Sequence, residues 1–336
     1  MDEVLINTTT AGNQGQPGVC GLQGTQFVVV WEDRSDNTIK GQMLGASGAR
    51  SSNEMLINLP TPPGPRRQLP AIVEYGSGFV VAWTEQAPGS AASAPAQLKL
   101  RIFDVDTLSG PEIQVSTAPI EPLIRPAMAR LSDGNFIVVW ADKRDDQRIR
   151  AQRFGPDGTR IGAEFRANTT AGLHRVPMVV CLANGNIVIA HLNDFGEDAT
   201  ADTLIVVEAD VFKADGSPAN IHLVSTGEQR IHATWPVLAP LSGGRFLIGW
   251  VQHNVDDLPA TTNVKARVFS TQGPLGQVTQ FNTSTGQDRF SLAAVVLSGP
   301  DGESAFAAWT DDTESGGDTA GRAVRGRPLR VPAAGF

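Results

Sequence analysis

The chain has 336 residues, a formal net charge of −8 and 41% hydrophobic residues, with 35 Gly and 22 Pro. The negative balance argues against a nucleic-acid backbone as the main partner, since that needs a concentrated basic surface. No run of eighteen apolar residues is present, which excludes a spanning helix, and Cys20 and Cys181 form no CxxC pair and suggest no zinc site.

In chain order, the opening Met-Asp-Glu-Val shows neither a basic nor an apolar leader, so no signal peptide is visible. Residues 3–12 (EVLINTTTAG) read as the end of a repeat, because 54–58 (EMLIN), 164–172 (EFRANTTAG) and 280–286 (QFNTSTG) resemble them. Six apolar runs follow, at 27–33 (FVVVWED), 79–85 (FVVAWTE), 136–142 (FIVVWAD), 187–191 (IVIAH), 246–250 (FLIGW) and 306–309 (FAAW). Their markers, Trp31, Trp83, Trp140, His191, Trp250 and Trp309, are spaced by 52, 57, 51, 59 and 59 residues. A period near fifty with β-branched and aromatic runs predicts a propeller or solenoid. Strands that are apolar at every position are covered on both faces, as between neighbouring blades.

Asp-Gly and Asn-Gly turns divide each repeat into strands A, B, C and D. Aspartates in these turns read as Asx-turn residues rather than metal ligands. The last repeat stops after its third strand, near 323–327, and the spare N-terminal strand pairs with it, which removes two exposed edges. The predicted fold is therefore all-β, a single six-bladed β-propeller over 1–336 with four-stranded blades. Its repeats fall at 14–59, 60–117, 118–171, 172–226, 227–283, and 284–330 plus 3–8. On this fold Cys20 and Cys181 lie on opposite sides of the ring, too far apart for a disulfide.

The loops between B and C and between D and A surround the channel mouth, and two residue types recur there. Arg67, Arg125, Arg175, Arg230 and Arg289 follow the D strands. Carboxylates follow the B strands: Asp33 and Asp36, Glu85, Asp142 with Asp145 and Asp146, Asp194 with Glu197 and Asp198, Asp256 and Asp257, Asp311 and Asp312. One reading has Arg forks pairing with these acids to hold blades together. A second has Arg67, Arg125, Arg175, Arg230 and Arg289 binding an anionic or polyhydroxyl ligand, with Asp142, Asp194 and Asp311 accepting from sugar hydroxyls and Trp235 as a stacking platform. Calcium is the one metal that the acidic loops would suit, and no cofactor is expected. His191 replaces Trp in the fourth repeat and reads as a packed residue or an acid/base, with His232 as the other histidine near the mouth. No Gly-x-Ser-x-Gly elbow, His-Glu-x-x-His motif or phosphate-binding glycine loop is present.

The segments 133–140 (DGNFIVVW), 149–158 (IRAQRFGPDG) and 164–172 (EFRANTTAG) resemble propeller-type repeats of large secreted bacterial adhesins and hemolysin-type calcium-binding surface proteins. The resemblance covers essentially the whole chain and implies a bacterial extracellular or cell-surface setting and a binding or adhesive module. A smaller set of relatives looks like cylindrocyclophane-type alkylating enzymes, whose additional calcium-binding domain is absent here. A six-bladed sialidase, with three Arg and a catalytic Tyr, fits poorly, because the single tyrosine, Tyr75, falls in an A–B turn region on the opposite face.

The expected function is a non-catalytic binding module recognising carbohydrate or another polar or anionic ligand at the mouth. The alternative is a propeller enzyme (lyase, hydrolase or alkylating enzyme) using Arg, Asp and His191 or His232 at the same mouth. A structural spacer, or a module docking a protein partner through the loop face, completes the range.

Overall fold

The computed structural model describes residues 4–332 except 11, 23–25, 61–63, 105–109, 144–147, 196–204, 226–230, 255–260, 284–288, 300–301 and 312–322. The chain separates into two compact units, Met1–Arg166 and Ala167–Phe336.

The first unit contains three antiparallel four-stranded sheets, each ordered in space as in sequence. The first holds β1 (Gln14–Leu22), β2 (Gln26–Asp33), β3 (Thr38–Gly45) and β4 (Met55–Leu56). The second holds β5 (Arg66–Tyr75), β6 (Gly78–Gln86), β7 (Gln97–Phe103) and β8 (Ile113–Gln114). The third holds β9 (Ala127–Arg130), β10 (Phe136–Ala141), β11 (Ile149–Phe154) and β12 (Arg160–Arg166). Strand β5 packs beside β1 on one side and β9 on the other.

In the second unit, β13 (Leu173–Cys181), β14 (Ile187–Asp194), β15 (Ile205–Phe212) and β16 (Pro218–Val224) make one antiparallel meander. Strands β17 (Ile231–Pro240), β18 (Arg245–Asn254), β19 (Thr261–Ser270) and β20 (Gly273–Gln280) make another. One parallel pair, Ile205 with His232, joins the two into a single eight-stranded sheet. The last sheet has three strands, β21 (Arg289–Gly299), β22 (Gly302–Asp311) and β23 (Ala323–Val331). In place of six four-stranded blades, the described residues thus form five sheets. The repeats predict every strand of the first five blades, but residues 4–10 form no strand among the described residues.

The second strand of each repeat carries the core. Phe136, Ile137, Val138 and Val139 are each fully buried, as a strand covered on both faces requires. Strand β22 departs from this, with Ala305, Ala307 and Trp309 buried and Phe306 exposed, the ordinary alternation of a half-covered strand. The turn aspartates act as Asx-turn acceptors: Asp133 takes the Asn135 N–H, Asp157 that of Thr159 and Asp215 that of Ser217.

Two further regularities emerge from the register. Strands β1, β5, β13 and β17 carry a bulge around Gln16-Pro17, Leu69-Pro70, Val176-Pro177 and Trp235-Pro236. The residue before each proline has φ between 49° and 56°. Proline cannot donate to the ladder, so the chain bulges there and re-aims the preceding side chain. Across the ladder, each Trp marker faces a cation: Trp31 with Lys40, Trp83 with Lys99, Trp140 with Arg150, Trp250 with Lys265, Trp309 with Arg325. In the fourth repeat the pair is His191 with Glu208.

Candidate functional site

The arginines singled out in the sequence occupy three different register positions. Arg67 lies opposite Glu85, which its guanidinium reaches at 3.2 Å, and Arg289 holds the same place opposite Asp311. Both are buried. Arg175 comes one residue later, opposite Leu192, with its side chain 41% exposed and 2.9 Å from Asp194. Since alternate strand residues point to opposite faces, that single offset turns Arg175 away from the direction of Arg67. Arg125 lies ahead of β9, before Pro126, and donates to the Pro17 carbonyl and Gln16 Oε1, both at 3.1 Å. Arg230 lies outside the described residues.

Among the acids, Asp142 is buried against Arg150 at 2.6 Å. The side chain of Asp311 is outside the described residues, as are Asp145, Asp146, Glu197, Asp198, Asp256, Asp257 and Asp312. Trp235 is 52% exposed at its bulge. His232 is half-buried, and His191 is wholly buried inside its sheet rather than at a loop.

In the first unit, the sequence reading passed over two carboxylates, Glu32 at the bulge of β5 and Glu121 next to a residue that bonds Gln68. Glu32 follows the Trp marker, where the other repeats have Thr84, Ala141, Leu192, Val251 and Thr310. It is buried, is gripped by Arg34 at 2.5 Å and accepts the Leu69 N–H at 3.2 Å. Burial pulls the Arg125 guanidinium below its ordinary range, and the Glu32 charge opposes that pull. One residue before the bulge, Gln68 Nε2 donates to the Pro122 carbonyl at 3.4 Å. The adjacent Glu121 has its Oε2 buried without a hydrogen-bond partner among the described residues. A cleft of ≈ 470 Å³ opens between Pro65, Gln86, Pro88, Pro95, Lys99 and Pro119. The sequence signal for Glu32 is its charge at a position that is uncharged in every other repeat. Glu121 has no such signal, because its role depends on where a loop folds.

In the second unit, the fourth repeat exchanges every polar position of its sheet. The second repeat shows the usual arrangement: Arg67, Glu85, Lys99 and Glu112 alternate in sign, with Lys99 2.8 Å from Glu85 and 3.3 Å from Glu112. In the fourth, His174 stands where Arg67 does, Asn193 in place of Glu85, Glu208 in place of Lys99 and His222 in place of Glu112. The rings of His174 and His191 meet edge to face, with Nδ1 atoms 3.2 Å apart. His174 Nε2 lies 3.2 Å from the Thr170 carbonyl and His191 Nε2 lies 3.3 Å from Asp210 Oδ2. Thr170 donates to Glu208 at 2.6 Å, and His222 Nδ1 is 3.2 Å from Asp210. Burial pushes the Asp210 carboxyl up, but hydrogen bonds from His191, His222 and Thr169 hold it well below the usual carboxylate range. The hydrogen bond to Asp210 raises His222 above the usual imidazole range, against burial. His174, His191 and Glu208 each offer one ligand atom, all within 4.8 Å of one another.

No sequence family matches the chain, and no curated protein sequence does. Its fold is all-β and of the β-propeller class found in glycoside hydrolases. The chain is similar to the GH93 α-L-arabinofuranosidase of Fusarium graminearum, solved with arabinobiose, at 11% identity over 97% of this chain and 96% of that one, with a TM-score of 0.59. It is also similar to the α-L-arabinanase of Penicillium chrysogenum, likewise with arabinobiose (13% identity, 94% and 93% covered, TM-score 0.55). A protein of unknown function from Dyadobacter fermentans matches at 13% identity over 98% of both chains, with a TM-score of 0.56. Identities this low establish the fold alone. They nevertheless correct the expectation of a non-catalytic binding module, because the fold is shared along nearly the whole chain with enzymes and favours the enzyme alternative. Nothing in these likenesses supports the adhesin or hemolysin repeats specifically.

Proposed function

We propose that the chain is a carbohydrate-acting hydrolase that cleaves glycosidic bonds of a polysaccharide such as arabinan. The observation that carries the reading is Glu32, a buried carboxylate present after the marker in one repeat alone and held by Arg34 and the Leu69 N–H at a strained bulge. Glycoside hydrolysis uses two carboxyl groups flanking the scissile bond: one protonates the departing oxygen, the other activates water or attacks the sugar. Glu32, with a guanidinium and an amide donating to it, suits the second role. Glu121, whose Oε2 has no partner, suits the first. Arg125 and Gln16, joined at 3.1 Å beside Glu32, offer donors and an acceptor to sugar hydroxyls. The likeness to enzymes solved with arabinobiose supports an arabinose-containing substrate.

The same reading includes a six-bladed ring in which the N-terminal segment completes the last blade. Its support is a repeated contact: Thr8 and Thr9 donate to Glu54 as Thr117 donates to Glu164. The proposed setting is extracellular or on a bacterial cell surface, where such polymers occur.

The test is a reducing-end assay of the purified chain on linear and branched arabinan, other plant and bacterial polysaccharides and aryl glycosides. Glu32→Gln and Glu121→Gln are each expected to lower kcat by about 10²–10⁴-fold with little change in melting. Release of sugar that is indifferent to both variants overturns the assignment of these residues, and no release from any substrate overturns the hydrolase reading.

A further inference from the structure

We propose that His174, His191 and Glu208 form a binding site for a transition-metal ion of the zinc class, enclosed within the fourth sheet. The argument starts from charge. The second sheet balances two cations, Arg67 and Lys99, against two anions, Glu85 and Glu112. The fourth sheet buries two carboxylates, Glu208 and Asp210, both at most 2% exposed, in place of a cation and a neutral or cationic residue. His222 Nδ1 lies 3.2 Å from Asp210 Oδ1. Two buried carboxylates without a compensating cation are expensive, so a cation belongs in this cluster.

Hydrogen bonding says where that charge sits. The Thr170 carbonyl can only accept, so His174 Nε2 carries a proton. Asp210 accepts from His191, so His191 Nε2 carries one too. Each ring then presents its Nδ1 lone pair to the other across 3.2 Å. Two lone pairs at that distance repel unless a proton or a metal ion lies between them. Two imidazole nitrogens bound to tetrahedral zinc at about 2.0–2.1 Å are separated by about 3.3 Å, close to the 3.2 Å between these two. Glu208 offers a third ligand atom, within 4.8 Å of both ring nitrogens. The partners around them match what metal-bound residues require: each imidazole donates its other N–H to a carbonyl or carboxylate, and the carboxylate ligand is itself held by Thr170. Nitrogen-rich ligation selects zinc, copper, cobalt or nickel over calcium or magnesium, which prefer oxygen. With His174 and His191 fully buried, the ion's part is structural.

The experiment uses the full chain without an affinity tag, stripped with a chelator and titrated with Zn²⁺ and Co²⁺ by calorimetry. One ion per chain is expected, with Co²⁺ giving the strong visible absorption of a tetrahedral site and excess Ca²⁺ failing to displace it. Saturating Zn²⁺ raises the melting midpoint by about 5 °C. His174→Gln weakens binding by at least about 100-fold, and Asp210→Asn by about 10–100-fold. The double variant His191→Trp with Glu208→Lys restores the pair used by other sheets, so it is expected to stay folded and bind no ion. No binding by the unaltered chain overturns the proposal and assigns a shared proton to the two rings. Binding undiminished in the double variant overturns it as well, by placing the metal elsewhere.

Discussion

Glu208 faces His191 across β15 and β14, in the register where every other repeat sets a lysine or arginine opposite a tryptophan. A tryptophan seals that position with apolar area while the cation beside it joins an acid pair. Exchanging both at once turns a sealed, neutral network into a ligand-like one. Either replacement alone would leave a buried carboxylate against indole, or a histidine against a lysine, and each is costly. The pair is therefore one substitution in physical terms.

The pH response of the metal-free chain follows from the same sheet. His222, faced by Asp210, Glu208 and Thr169, has a raised folded pKa, so its contribution is complete below about 6.5 and is lost as pH rises through the folded value. Asp210 has a lowered one, so its contribution is complete above about 3.9 and is lost as pH falls through the folded value. The midpoint of thermal melting in the presence of chelator is expected to peak between about pH 4 and 6.5. In His222→Gln the decline on the alkaline side should disappear.

Glu54 ties the N-terminal segment to the first sheet. Burial raises its carboxyl, but donors from Thr8 and Thr9 lower it to about 2. Its contribution is complete above about pH 4.3 and is lost as pH falls from there through the folded value of about 2. Glu54→Gln is expected to cost about 1–2 kcal/mol in urea melts at pH 7, with the difference vanishing near pH 2. Removal of residues 1–10 should cost at least as much, because Arg50 also loses the carbonyls of Leu5, Ile6 and Asn7.

Arg67 and Arg175 separate by burial. Arg67→Ala leaves Glu85 with one of its two cations and a cavity in the sheet, and should cost about 3 kcal/mol. Arg175→Ala breaks a half-exposed pair and should cost about 0.5 kcal/mol. Chemical denaturation of the two variants distinguishes them directly.

Val176 is β-branched at φ 53°, a conformation that costs an L-residue about 1–2 kcal/mol. Val176→Gly is therefore expected to hold or raise stability, by up to about 1 kcal/mol, where glycine in a strand ordinarily lowers it. An equal loss of stability at Val176 and at an ordinary strand position would show that the bulge stores no strain.

Cys20 is pushed up to about 12 by burial, with Glu74 adding to the effect. Its thiolate fraction at pH 8 is about one part in 10⁴, so the folded chain should resist thiol reagents at Cys20 until it is denatured.

The repeat, its period and its strand order were legible in the chain, because a buried strand must be apolar at successive positions and a tight turn must carry Gly, Asn or Asp. Trp140, Asp133-Gly134 and the copies of them around the chain required nothing more than local chemistry. Register was not legible. Arg175 and Arg289 look alike when counted from the preceding Asn, yet one faces Leu192 and the other Asp311, and one residue of register decides which face a side chain takes. His191 was visible as a departure, but its partners His174, Glu208, Asp210 and His222 come from three other strands with no fixed spacing. Only hydrogen bonding between those strands brings two imidazoles to 3.2 Å and buries two carboxylates beside them. Local periodicity, written by burial, determined the fold class. The sites were decided by cross-strand register, which no single strand encodes.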